Sequence, residues 1–111
     1  MRDNGYIYIA YSEQSRLYKV GTSIDPRCRI NTLCTGDPSI ILLSSYPTHD
    51  MPLIERLVHQ RLRPLRVYKE WFRLSPAMLS WLEDLLTGKP VEAPPLHLEW
   101  RDSVVSRCEG Q

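Results

Sequence analysis

The sequence is poor in cysteine and glycine and contains no long apolar run. Its three cysteines, Cys28, Cys34 and Cys108, are odd in number and include no Cys-x-x-Cys pair. That pattern argues against a disulfide framework and a zinc site, and it fits reduced thiols in a cytoplasmic protein. Cys28 and Cys34 read as helix packing residues, without a redox role. Every apolar run is broken within about 8 residues, whereas a bilayer span needs roughly 20, so no membrane partner is expected. Met1-Arg2-Asp3-Asn4-Gly5 lacks the apolar core of a signal peptide, so no export is expected. Internal repeats, helix-turn-helix patterns and zinc-finger patterns are also missing.

What is present is an ordinary globular composition. With 42% hydrophobic and 24% charged residues in 111 positions, the chain suits one compact domain and is not disordered throughout. The net charge of +1 hides an asymmetry. Residues 1–73 carry 11 Lys+Arg against 7 Asp+Glu, and residues 74–111 carry 3 against 6. The densest basic stretch holds Arg56, Arg61, Arg63, Arg66, Lys69 and Arg73, opposed only by Glu70. Such a stretch suits either a polyanion-facing surface or a solvated face.

Gly5 to Tyr11 is rich in aromatic and β-branched residues and reads as a strand. Arg16 to Gly21 alternates and pairs with it as a hairpin. Asp25-Pro26 caps a short helix that carries Ile30 and Leu33 inward and ends near Thr35-Gly36. Ile40 to Leu43 forms a buried strand that continues toward Tyr46. Thr48 or Asp50 caps a second helix, whose Leu53, Ile54, Leu57, Val58 and Leu62 lie on the sheet, and Pro64 stops it. Arg61 falls among those apolar positions by helical phase, so the helix either frays before it or sends it into a site. Glu70 to Leu74 alternates as a short edge strand, with Trp71 and Phe72 suited to packing or to base stacking. Ser75-Pro76 begins a last helix that Thr87-Gly88 closes. The expected fold is α+β: a small antiparallel sheet, made of an N-terminal β-hairpin plus a third strand, flanked by helices. It occupies residues 1–88, followed by a proline-containing acidic tail at 89–111 in which Leu96 to Trp100 adds a strand or docks on the domain.

The motifs follow one another in a specific order. Tyr6-Ile7-Tyr8 is followed by Tyr18-Lys19-Val20-Gly21, Asp25-Pro26-Arg27-Cys28-Arg29 and Thr35-Gly36-Asp37-Pro38. Then come Glu55-Arg56-Leu57-Val58-His59 and Glu70-Trp71-Phe72-Arg73-Leu74. This succession, over about residues 5–74, resembles the GIY-YIG endonuclease superfamily. It is closest to the small phage- and bacterium-encoded branch with a Tyr-Lys-Ile/Val-Gly second motif and a Glu-x-x-x-His helix. The resemblance implies a metal-dependent phosphodiesterase acting on nucleic acid, with DNA as the expected substrate. In it, Tyr8 hydrogen-bonds in the active centre, Gly21 permits close backbone approach, and Arg29 binds the scissile phosphate. Glu55 holds one divalent cation, Mg2+ or Mn2+. A cation and a guanidinium on opposite sides stabilise the charge that grows on the phosphate oxygens, and one carboxylate with several waters is a normal magnesium site.

The general base stays open between candidates. The second-motif tyrosine slot is Lys19, with Tyr18 one residue earlier, and the slot four residues after Arg29 is Leu33. Neighbours on a strand face opposite sides, so Tyr18 and Lys19 do not both enter the site. Lys19 serves as a base only with a strongly depressed pKa, whereas His59 is the easier alternative if it reaches the water, imidazole being the side chain suited to that role near neutral pH. Tyr8, Lys19 and Tyr18, Arg29, His59 and Glu55 are expected to converge on one face of the hairpin sheet. Tyr6, Arg27, Arg61, Arg63 and Arg66 are expected to border it and bind nucleic acid. Each of these residues also has a plainer account, as strand packing, solvated helix charge or a weak surface ion pair.

Two rival classes share this sequence. One is a binding module that retains the fold without catalysis, or works within a larger DNA-processing assembly. The other is a protein-interaction domain using residues 91–111. With no separate sequence-reading domain evident, specificity falls to a homodimer, a protein partner or substrate shape.

Overall fold

The computed structural model describes residues 4–94, so the expected strand at Leu96 to Trp100 lies outside the described residues. The chain divides into two compact units after Arg73.

The first unit is a five-stranded antiparallel sheet with two helices. In chain order it holds β1 (Gly5–Ser12), β2 (Leu17–Ser23), α1 (Pro26–Leu33), β3 (Ile40–Thr48) and α2 (Met51–Leu62). A 3-10 turn at Arg63–Leu65 leads into β4 (Arg66–Tyr68) and β5 (Trp71–Phe72). The strand order is β3-β1-β2-β5-β4. The expected α+β class holds, and the sheet is wider than the hairpin plus one strand. Beyond the hairpin and β3 it adds β5, at the expected Glu70 to Leu74 strand but inside the sheet rather than at its edge, and β4, whose three residues are all exposed and so leave no burial period in the sequence.

Proline and a short polar cap start each helix. Asp25 accepts from the Cys28 N–H at 3.2 Å and Asp50 from the Leu53 N–H at 3.2 Å. Each satisfies a donor that the first helical turn leaves unpaired. The first helix runs to Leu33 with Cys34 as its C-cap, and the turn continues through Gly36, near the expected end at Thr35-Gly36. Asp37 follows, accepting from the hydroxyls of Ser12 at 2.5 Å and Ser39 at 2.6 Å and tying the loop to β1.

Strand alternation divides the side chains between two faces. Tyr8 and Ala10 form a core with Ile30 and Ile40, joined by Leu33, Cys34, Leu42 and Trp71, so α1 covers this face. Ile7, Ile9, Val20 and Phe72 are buried on the other face, where the His59 ring of α2 lies 5.2 Å from Phe72. On α2, Val58 and Leu62 are buried, while Leu53 and Leu57 of the expected stripe are exposed. The helix continues through Arg61 rather than fraying before it, and Arg61 is exposed. Cys34 packs and donates from Sγ to the Ile40 carbonyl at 3.4 Å, whereas Cys28 is exposed rather than packed.

The second unit carries α3 (Pro76–Leu86), capped by Ser75 and ended by Thr87, with Gly88 following at φ 86°. Trp81 Nε1 donates to the Glu92 carbonyl at 2.8 Å. No helix among the described residues is long and apolar enough to cross a membrane.

Candidate active site

The site forms where β2 runs past the end of β5. Only Tyr18 and Lys19 pair with Phe72 and Trp71, so from Val20 onward this edge of β2 has no partner strand. Other groups take its place. The Val20 N–H donates to the Glu70 carbonyl at 3.2 Å, and His59 Nε2–H donates to the Val20 carbonyl at 2.7 Å. His59 is thereby fixed on the edge, four residues along α2 from Glu55.

Side chains reach this edge from both faces of the sheet. Tyr8 and Lys19 share the face covered by α1, because Tyr8 pairs with Gly21 and Ala10 with Lys19. Thr22 projects from the opposite face and donates its hydroxyl to Glu55 Oε1 at 2.7 Å. The expected convergence on one face is therefore corrected. The helices bearing Arg29 and Glu55 lie on opposite faces, so their side chains meet only around an open edge. Tyr18 has the phase opposite to Lys19, and its ring packs on Tyr11 with centroids 4.8 Å apart.

Gly21 makes the meeting possible. A Cβ there would lie 2.9 Å from the Tyr8 hydroxyl and 3.3 Å from Glu70 Oε1, so both oxygens occupy space that any other residue would fill. Tyr8 is 1% exposed. Burial raises its phenol above the ordinary value, and the Arg29 guanidinium hydrogen-bonded to it only partly offsets this. Tyr8 is thus a neutral phenol that accepts from Arg29 and keeps its own proton.

Two carboxyls face this pair. Burial and a hydrogen bond shared with Glu70 raise Glu55, against the opposing effects of Thr22 and His59. Burial also pushes Glu70 upward, but its bonds to Glu55 and Lys19 outweigh that and leave it lowered. Lys19 Nζ donates to Glu70 Oε1 at 2.6 Å and lies 5.7 Å from the Trp71 ring centroid. Glu70 stands in a motif quoted from the sequence and opposes the basic stretch alone, yet local pattern gave it no role.

The remaining candidates stand apart from this cluster. Tyr6 and Arg27 line an open cavity of about 530 Å³ with Ile24, Leu42 and Ser45. Arg61, Arg63 and Arg66 are exposed, and none of the three is ion-paired among the described residues, where the pairs are Lys19–Glu70 and Lys89–Asp84. Leu33, in the slot after Arg29, packs against the α1 core and brings no titratable group to the site.

Comparison with known proteins adds one finding. The T5orf172 domain matches residues 5–86, which include both helices of the site and all five strands. No curated protein and no solved structure matches the chain.

Proposed function

The chain belongs to the T5orf172 domain family, a phage-associated domain of the GIY-YIG-like nuclease type, and from that premise we propose that it hydrolyses phosphodiester bonds of nucleic acid, DNA first, with one divalent cation. The observation that carries the reading is the meeting of Tyr8 and Glu70 at Gly21, with Arg29 beside the Tyr8 hydroxyl and Glu55 held by the next residue, Thr22.

The donor set fits magnesium or manganese. Glu55 offers hard carboxylate oxygens, the donor type that both cations take. Such a site suits a cation that keeps most of its waters. Bound there, the cation would act as a Lewis acid toward the phosphate oxygens. Glu55 is the residue that would hold it, steadied by the Thr22 hydroxyl. Arg29 is exposed on α1, so its guanidinium can bind a phosphate oxygen while the Tyr8 hydroxyl fixes its direction. His59 donates from Nε2, which leaves Nδ1 as the ring atom able to accept a proton from water. Lys19 Nζ is committed as a donor to Glu70, so the base is assigned to His59. Arg61, Arg63 and Arg66 supply unpaired charge for the phosphate backbone.

A second reading is a module that binds nucleic acid without cutting it. It is favoured by the slots usually held by acid–base side chains, since Lys19 is ion-paired and Leu33 is core. Nicking of supercoiled plasmid in magnesium or manganese, with branched and single-stranded DNA alongside, separates the two. The nuclease reading predicts metal-dependent cleavage that Arg29→Ala removes. Tight, salt-sensitive binding with no cleavage of any substrate would select the binding module.

A further inference from the structure

Glu70 has no role in the resemblance, yet its backbone and its carboxylate both bond to β2 beside Gly21. We propose that Glu70 is the positioning residue of this centre: its ion pair with Lys19 and the bond its carbonyl accepts from the Val20 N–H fix Lys19 and the open edge of β2 in the geometry that cleavage requires. The proposal rests on the nuclease reading.

The backbone delivers Glu70 with unusual care. Lys69, the residue before it, has φ 49°, a left-handed conformation that a residue with a side chain adopts at a cost. It turns the chain between Tyr68 and Trp71, which pair across the β4–β5 connection. The Glu70 carbonyl then accepts from the Val20 N–H at 3.2 Å, and its Oε1 accepts from Lys19 Nζ at 2.6 Å. Glu70 is therefore held at both ends by neighbouring residues of β2. A carboxylate needed only for solubility would not require this.

The Lys19 ion pair is also unlike a surface pair. The Lys19 side chain is 8% exposed and that of Glu70 39% exposed. Removing the carboxylate would strand a buried ammonium, which is far more costly than losing an exposed pair. The pair thus ties the residue before β5 to β2 just where the backbone ladder between the two strands ends. Space for it exists because position 21 is glycine.

The test has two arms on the full chain. In the first, lysine side-chain 1H–15N spectra detect the Lys19 ammonium, assigned by its loss in Lys19→Met. A buried, ion-paired ammonium exchanges slowly with water, so the parent should show the signal and Glu70→Gln should lose it. In the second, Glu70→Gln should lower kcat by about 10- to 100-fold with KM within about twofold of the parent. Lys19→Met/Glu70→Gln should be no slower than the slower single variant, because both act through one pair. If Glu70→Gln fails to fold, the double variant, which strands no charge, should fold and remain slow. A Lys19 signal that persists in Glu70→Gln would overturn the proposal. So would parental kcat in that variant or losses that multiply in the double variant. If the parent shows the signal and loses it in Glu70→Gln but cleaves nothing, the nuclease reading fails while the Glu70–Lys19 tie stands.

Discussion

Adding one methyl group at position 21 tests how tightly the site is built. In Gly21→Ala the new Cβ would meet the Tyr8 hydroxyl at 2.9 Å, Tyr8 Cζ at 3.1 Å and Glu70 Oε1 at 3.3 Å. The Glu70 side chain is 39% exposed and can swing away. Tyr8 is 1% exposed and stiff, so its ring must move against the packed core. Overpacking of that kind costs about 1–3 kcal/mol, and alanine returns about 0.4–1 kcal/mol by restricting the unfolded chain. The expected net loss is near 1.5 kcal/mol, or a melting temperature lower by about 6–12 °C for a domain of this size. Cleavage should fall further than stability, because displacing the hydroxyl misaligns Arg29 and about 1 Å of misplacement can cost about 100-fold. Tyr8→Phe removes the nearest atom, so Gly21→Ala should cost less in that background, with a coupling of about 0.5–1 kcal/mol. Thermal melts of the four proteins and initial cleavage rates measure both effects. Equal costs in the two backgrounds, or a Gly21→Ala protein with parental stability and rate, would refute the reasoning.

Asp50→Ala removes the acceptor for the Leu53 N–H and should lower stability by about 1 kcal/mol, with Asp50→Asn much milder, as read by chemical denaturation. Asp37 is held below its ordinary value of 3.8 by bonds from Ser12 and Ser39. Its folded form binds fewer protons than the unfolded chain, so its contribution is full at neutral pH and is lost only as pH falls below that value. Melting temperatures of the parent and Asp37→Asn should therefore differ at pH 7 and converge in strong acid. Arg63→Gln and Arg66→Gln should each weaken DNA binding and reduce the slope of log K against log salt by about 0.7–0.9, measured by anisotropy at several salt concentrations.

The helix starts were legible because the chemistry that sets them is local: Asp25 and Ser75 stand directly before a proline, Asp50 stands two residues before one, and each caps from within three residues. The hairpin of β1 and β2 was legible for the same reason, through alternation and a short polar loop. What failed depends on distant residues. The three exposed residues of β4 gain strand structure only by pairing with β5. The site followed the same division. Tyr8, Arg29 and Glu55 could be nominated from ordered motifs, but their meeting around an edge could not, because it depends on which face each helix covers. Glu70 stayed hidden longest, since its ion-pair partner Lys19 is 51 residues away. Its role becomes visible only once β5 is seen to stop two residues into its pairing with β2.

The most direct test of the account is single-turnover cleavage by Glu55→Gln in magnesium or manganese, with affinity for the same DNA measured in parallel. The account predicts a dissociation constant within about twofold of the parent and a cleavage rate lower by at least about 100-fold. Cleavage by Glu55→Gln at the parental rate would contradict it, because no group in the site would then need the Glu55 carboxylate for turnover.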